Sequence, residues 1–147
     1  MLAPMGTRKM LVREIMTPNP IVVSDDAHAS DVFDLMEKHG IRHVPTVRNG
    51  AVVGLATERM IRDAQPSILT LRDPAARRKA LGAIRVADVT VRNPITIAPD
   101  ASVQEAIRAM HGVRGGSLPV IDRGRIVGIL TAGDLLTLLE RVLDDRA

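Results

Sequence analysis

The stretch Val12–Ile61 recurs without a gap 74 positions later as Val86–Leu135, and twelve of the fifty aligned pairs are identical. The identities include Asn19/Asn93, Pro20/Pro94, Ile21/Ile95, Asp26/Asp100, Met36/Met110, Pro45/Pro119, Gly50/Gly124, Gly54/Gly128 and Thr57/Thr131. Chance gives about two or three matches over such a window, so the chain is an internal duplication. Each unit has about fifty residues, too few to bury a sufficient core alone, which implies that the two pack together. Hydrophobic residues make up 46% of the 147, enough for a shared core.

Both units carry the same local pattern. A short β-branched run follows Asn-Pro (Ile21–Val23; Ile95–Ile97) and reads as a strand. Apolar residues then recur at helical spacing, as Ala29, Val32, Phe33, Met36 and as Val103, Ala106, Ile107, Met110. Ser102 and Glu105 have the spacing of a capping box. Two further strands follow in each unit, turning at Asn49-Gly50 and Arg123-Gly124, and running into helices near Thr57 and Thr131. Pro45 and Pro119 place their strands at a sheet edge or beside a cleft, because proline cannot donate to a ladder. The expected fold is therefore α+β: two β-α-β-β-α repeats packed sheet to sheet. The repeats span residues 12–64 and 85–143, with 65–84 as a connector that Pro66 and Pro74 keep from being one helix.

Several classes of function recede at this stage. The formal charge of +3 is too small to demand nucleic acid, and Phe33 is the only aromatic residue, so no platform exists for stacking bases. The basic residues near Arg72–Arg85 read as a solvated connector. Cysteine is absent, no serine sits in a G-x-S-x-G elbow, and His28, His39, His43 and His111 lack zinc-ligand spacing, so neither catalytic nor metal residues are expected. No apolar run approaches a membrane span, and MLAPMGTRKM has no signal-peptide core; the expectation is a cytoplasmic protein. The stripe Leu135, Leu138, Leu139, Val142, Leu143 suits either core or a subunit interface.

The chemistry concentrates at the turn into the last helix. Thr131 offers a hydroxyl, and Asp134 can accept from vicinal hydroxyls such as those of a ribose. The same Thr-x-x-Asp spacing equally fits a capping box, and spacing alone leaves both readings open. Arg42-His43 is either an exposed pair or part of a site. In the first repeat Met60 stands where the second has Asp134, and reads as a core filler.

With GIRHVPTV…GAVVGLAT in the first repeat and GGSLPVI…GRIVGILTAGD in the second, the chain resembles the tandem cystathionine-β-synthase-type (CBS) domain pair, and within it the acetoin-utilisation accessory type. The resemblance implies pseudo-twofold symmetry and two clefts between the repeats, which bind AMP, ADP, ATP or S-adenosylmethionine as regulatory ligands. It assigns Asp134 to the ribose and Thr131 to phosphate, with Ile129 beside them. Asn19, Ile21, Ile41 and Arg42, with His43 nearby, would come from the first repeat. It further implies a homodimer and a regulated enzyme or transporter as partner. The other cleft has Met60 for the acid and Gly115, Gly116 and Ser117 opposite, so one competent site per chain is expected. The alternative is a structural dimerisation module that binds no nucleotide.

Overall fold

The computed structural model describes residues 8–113 and 116–147; Gly115 lies outside them. The first repeat opens with a 3-10 turn (Val12–Glu14) and strand β1 (Thr17–Pro18). It continues as β2 (Val23–Ser24), α1 (Ala29–His39), β3 (His43–Arg48), β4 (Ala51–Thr57) and α2 (Glu58–Ala64). Helix α3 (Pro74–Leu81) lies in the connector. The second repeat brings another 3-10 turn (Val86–Val89), β5 (Val91–Arg92), α4 (Val103–His111), β6 (Ser117–Asp122), β7 (Arg125–Thr131) and α5 (Ala132–Asp144).

The strands form two sheets, ordered β2-β3-β4-β5 and β1-β7-β6. The repeats thus exchange their first strands. Strand β1 runs antiparallel to β7, with Thr17 opposite Ile129 and Pro18 opposite Gly128. Strand β5 does the same to β4, with Val91 opposite Leu55 and Arg92 opposite Gly54. The exchange begins earlier still. Val12 N donates to Ala101 O at 2.9 Å, and its counterpart Val86 N donates to Ala27 O at 2.8 Å. As a result each hydrophobic core holds a residue of the other repeat. Val86 packs with Ala29, Val32, Val44 and Ile61; Val12 packs with Ala106, Leu118, Val120 and Leu130.

Two glycines make the crossing possible. A Cβ on Gly54 would lie 2.6 Å from Thr46 Oγ1 and 2.9 Å from Thr90 Oγ1, and a Cβ on Gly128 would overlap the Met16 thioether. Both β-branched threonines are stiff, whereas a methionine side chain can move. Gly54→Ala is accordingly expected to cost about 1–3 kcal/mol by overpacking, and more than Gly128→Ala. Urea unfolding of the two variants checks the order.

The expected elements are present with corrections. The run Ile21–Val23 shrinks to a strand at Val23–Ser24, parallel to β3, and Ile95–Ile97 to one bridge from Ile97 to Val120. Asn19 and Asn93, at φ 49° and 46°, turn the chain out of the exchanged strands just before these runs and shorten them. Pro119 lies in an outer strand, but Pro45 lies in an inner one. It is tolerated there because β2 meets β3 only at Thr46 and Val47, leaving position 45 without a partner on that side. Both hairpin turns have two left-handed residues, Asn49-Gly50 and Arg123-Gly124, the geometry that Asn-Gly favours. The capping box forms: Glu105 N donates to Ser102 Oγ at 3.1 Å, and Ser102 N to Glu105 Oε2 at 2.7 Å. That backbone bond holds the Glu105 carboxyl below its ordinary range.

The connector is more than a solvated link. Pro74 opens α3 behind the Asp73 cap, Arg78 Nε lies 2.8 Å from Asp34 Oδ1, and Leu81 is fully buried in the first core. Along α5, Leu135 packs against the second core while Leu136, Leu139 and Leu143 are exposed. No helix among the described residues is long and apolar enough to cross a membrane.

Candidate ligand cleft between the repeats

Strand β7 ends at Thr131 because the next residues start α5, and the junction is locked by a reciprocal pair of bonds. Asp134 N donates to Thr131 Oγ1 at 3.2 Å, and Thr131 N donates to Asp134 Oδ2 at 2.8 Å. The capping box is therefore real. It engages one carboxylate oxygen, and a carboxylate has about four acceptor positions, so the cap and a diol are compatible partners of Asp134. At the matching junction in the first repeat, Met60 N donates to Thr57 Oγ1 at 3.2 Å. A thioether returns nothing.

The exchanged strand brings first-repeat residues to this junction. Pairing of β1 with β7 sets Thr17 against Ile129, and Asn19 N donates to Val127 O at 3.2 Å. Ile129 is buried, Ile21 half-buried and Asn19 exposed. Ile41 packs against the first core, its amide bonded to Met36 O at 3.2 Å. Arg42 is exposed, with Nε 3.4 Å from Glu58 Oε2.

His43 opens β3 opposite Thr57, and its Nδ1 is buried without a hydrogen-bond partner among the described residues. Burial, and after it the Arg42 charge, push its pKa below the ordinary histidine value; the Asp134 and Glu58 carboxylates act against that shift. Asp134 of one repeat and His43 of the other thus lie within each other's electrostatic reach. Ser117, the equivalent of His43 in the second repeat, likewise has a buried hydroxyl without a partner among the described residues.

These electrostatics give a pH dependence with a definite sign. The fold disfavours the imidazolium, so below about pH 6.5 the unfolded chain takes up the proton first. His43 should leave stability intact above that pH and erode it as pH falls towards its lowered folded value. Urea midpoints at pH 7.5 and 5.5 should converge more closely in His43→Gln than in the wild type.

The open volume is unevenly divided. Asp134 lines a cavity of about 220 Å³ with Glu14, Ile15, Met16, Thr137, Leu138 and Arg141. A cavity of about 720 Å³ lies on the Met60 side, walled by Arg42, His43, Thr57, Glu58, Arg59, Thr90 and Val91 as well. A smaller one of about 180 Å³ joins Leu55 to Asn93, Ile95 and Ser117. Glu58 and Arg59 escaped sequence reasoning, although a signal for them existed. They stand where the second repeat has Ala132 and Gly133, so the alignment that exposed Met60 also marked two added charges beside it.

A family model described as CBS domain matches residues 12–67 and again residues 86–141. The chain belongs to the CBS domain family. A CBS domain-containing protein of Dictyostelium discoideum is 31% identical over 138 residues, covering 92% of this chain and 95% of that one. The CBS pair also occurs within longer relatives: an inosine-5'-monophosphate dehydrogenase of Korarchaeum cryptofilum is 27% identical over 126 residues, 85% of this chain but 22% of the enzyme. Among solved structures, an acetoin utilization protein (AcuB) of Vibrio cholerae superposes with a TM-score of 0.72 at 26% identity, covering 93% of this chain and 95% of that one. The CBS domain pair of protein MJ0100, in complex with 5'-methylthioadenosine and S-adenosyl-L-methionine, gives 0.73 at 25% identity over 90% of this chain and 98% of that one. Mixed α+β architecture with two sheets is common to this CBS pair and to those structures.

Proposed function

We propose that this CBS pair, with repeats at 12–64 and 85–143 joined by 65–84, is a non-catalytic regulatory module. It binds an adenosine-containing ligand, AMP, ADP, ATP or S-adenosylmethionine, at Asp134 and passes its state to a partner. The observation that carries this reading is the placement of Asp134. Its carboxylate stands at the β7–α5 junction with acceptor capacity to spare, the exchanged strand sets Thr17 against Ile129 and bonds Asn19 to Val127, and His43 of the other repeat lies within electrostatic reach. Binding of adenosyl compounds by the MJ0100 pair supports the ligand class. Ile21 and Ile129 would flank the base, Thr131 and Arg42 the far end of the ligand. The module would work as a cytoplasmic homodimer acting on an enzyme or transporter.

A thermal-shift titration against AMP, ADP, ATP, S-adenosylmethionine and NADH tests the reading. A ligand at a hundred times its dissociation constant adds about 2.7 kcal/mol, a shift of several degrees for a chain of this size. A shift with at least one adenosyl ligand is the expected outcome, and none with any would count against it. One observation favours the second reading, a dimerisation module that binds no nucleotide: the apolar residues Leu136, Leu139 and Leu143 of α5 are 62%, 51% and 58% exposed. That module would be dimeric yet silent to every ligand in the titration.

A further inference from the structure

The Met60 side is not simply a nucleoside site that has lost its acid. In place of Ala132-Gly133-Asp134 it carries Glu58-Arg59-Met60, which removes the acceptor for a ribose and adds a guanidinium to the wall of the 720 Å³ cavity. Four features suit that cavity to phosphoryl oxygens. Among the described residues Arg59 pairs with Asp63, at 3.9 Å, and Arg42 with Glu58, at 3.4 Å, both as exposed pairs of little net strength. His43 Nδ1 is buried and unpartnered among the described residues. The Thr57 hydroxyl accepts from Met60 N and keeps its own O–H to give. The cavity also faces the other repeat: strand β4, which ends at Thr57 in its wall, packs against β7, which leads into Asp134, and His43 in the same wall lies within electrostatic reach of that carboxylate.

We infer that the Met60 cavity is the compartment for the 5'-phosphate chain of a nucleotide whose ribose is held at Asp134. One ligand then spans both halves of the cleft, and the class taken is an adenosine polyphosphate rather than an adenosyl sulfonium or thioether. The inference rests on the proposed binding at Asp134 and deepens it. Arg42 and Arg59 outnumber Glu58 in the wall, which favours an anionic tail over a sulfonium. It also accounts for the departure at position 60. A carboxylate there would face the phosphates, whereas a thioether is neutral and yields to the chain's shape.

Isothermal titration with adenosine, 5'-methylthioadenosine, S-adenosylmethionine, AMP, ADP and ATP tests this on the wild type, Arg59→Ala, Met60→Asp and Asp134→Ala. Affinity should climb from adenosine to ATP by roughly tenfold or more, the worth of one charge-assisted hydrogen bond, at one ligand per chain. In Arg59→Ala the ratio of ATP to adenosine affinity should fall towards one. Arg59 is an exposed side chain whose loss leaves the core intact. Met60→Asp should weaken ATP at unchanged stoichiometry. The inference is overturned if adenosine binds in an Asp134-dependent way but phosphates add nothing, if S-adenosylmethionine binds tightest, or if Met60→Asp raises the stoichiometry to two; the Asp134 assignment survives each of these. Adenosine binding indifferent to Asp134→Ala, or no binding of any ligand, overturns both.

Discussion

Asp134→Ala is expected to bind the adenosyl ligand about 10- to 150-fold more weakly, the loss of a charged acceptor worth about 1.5–3 kcal/mol. The same carboxylate also caps α5 through Thr131 N, at 2.8 Å. The variant therefore loses stability without ligand as well, by about 0.5–2 kcal/mol if the pair behaves as an ordinary cap. The two effects separate cleanly. Affinity is read by titration of folded protein, and the cap by urea unfolding in the absence of ligand. A destabilised variant with wild-type affinity would make Asp134 a cap and nothing more. Asp134→Asn sharpens the contrast, because an amide keeps an acceptor for the cap yet gives up the charge and one of the two oxygens a diol engages.

The larger structural effect is expected at Val12. This residue is fully buried, and its neighbours Leu118, Val120 and Leu130 all come from the other repeat. Val12→Asp forces a carboxyl into that core. Buried carboxyls move their pKa up by about 3–5 units, at 1.36 kcal/mol each, which puts the cost at roughly 4–7 kcal/mol. That is comparable with the whole stability of a typical domain. The damage should appear first in the second repeat, although the substitution lies in the first. Hydrogen exchange should therefore accelerate across α4, β6 and β7 before α1, β3 and β4. Val86→Asp, the mirror substitution, should reverse the pattern, since Val86 packs with Val32 and Val44. Loss of protection confined to the substituted repeat's own sheet would contradict the exchange.

The parts of the fold that could be read from sequence are those governed by local physics. Helix α1 shows as Ala29, Val32, Phe33 and Met36 at helical spacing, the first hairpin as Asn49-Gly50, and the start of α4 as the Ser102–Glu105 box. The repeat itself was legible because both copies must meet the same local demands at a constant offset. The exchange was not. Strands β1 and β5 have two residues each, too short for any period, and what holds them is pairing with strands far along the chain. The inner position of Pro45 was missed for a related reason: it depends on how far β2 extends, not on the proline's neighbours. At the cleft, Asp134, Thr131 and His43 could be singled out by type and spacing. That Asp134 and His43 line two separate cavities could not, because cavity shape depends on how the two sheets meet.

The exchange of leading strands also fixes an order of events during synthesis. Thr17 is made early, yet its ladder partner is Ile129, 112 residues later in the numbering. At ribosomal speeds of about 5–20 residues per second, β1 waits some 6–22 s before its partner exists. The first sheet in turn stays short of its fourth strand until Val91 and Arg92 are made. Neither half can be finished before the other has begun: the first sheet gains its last strand when β5 is made, and the second closes later, when β7 arrives to pair with both β6 and the waiting β1.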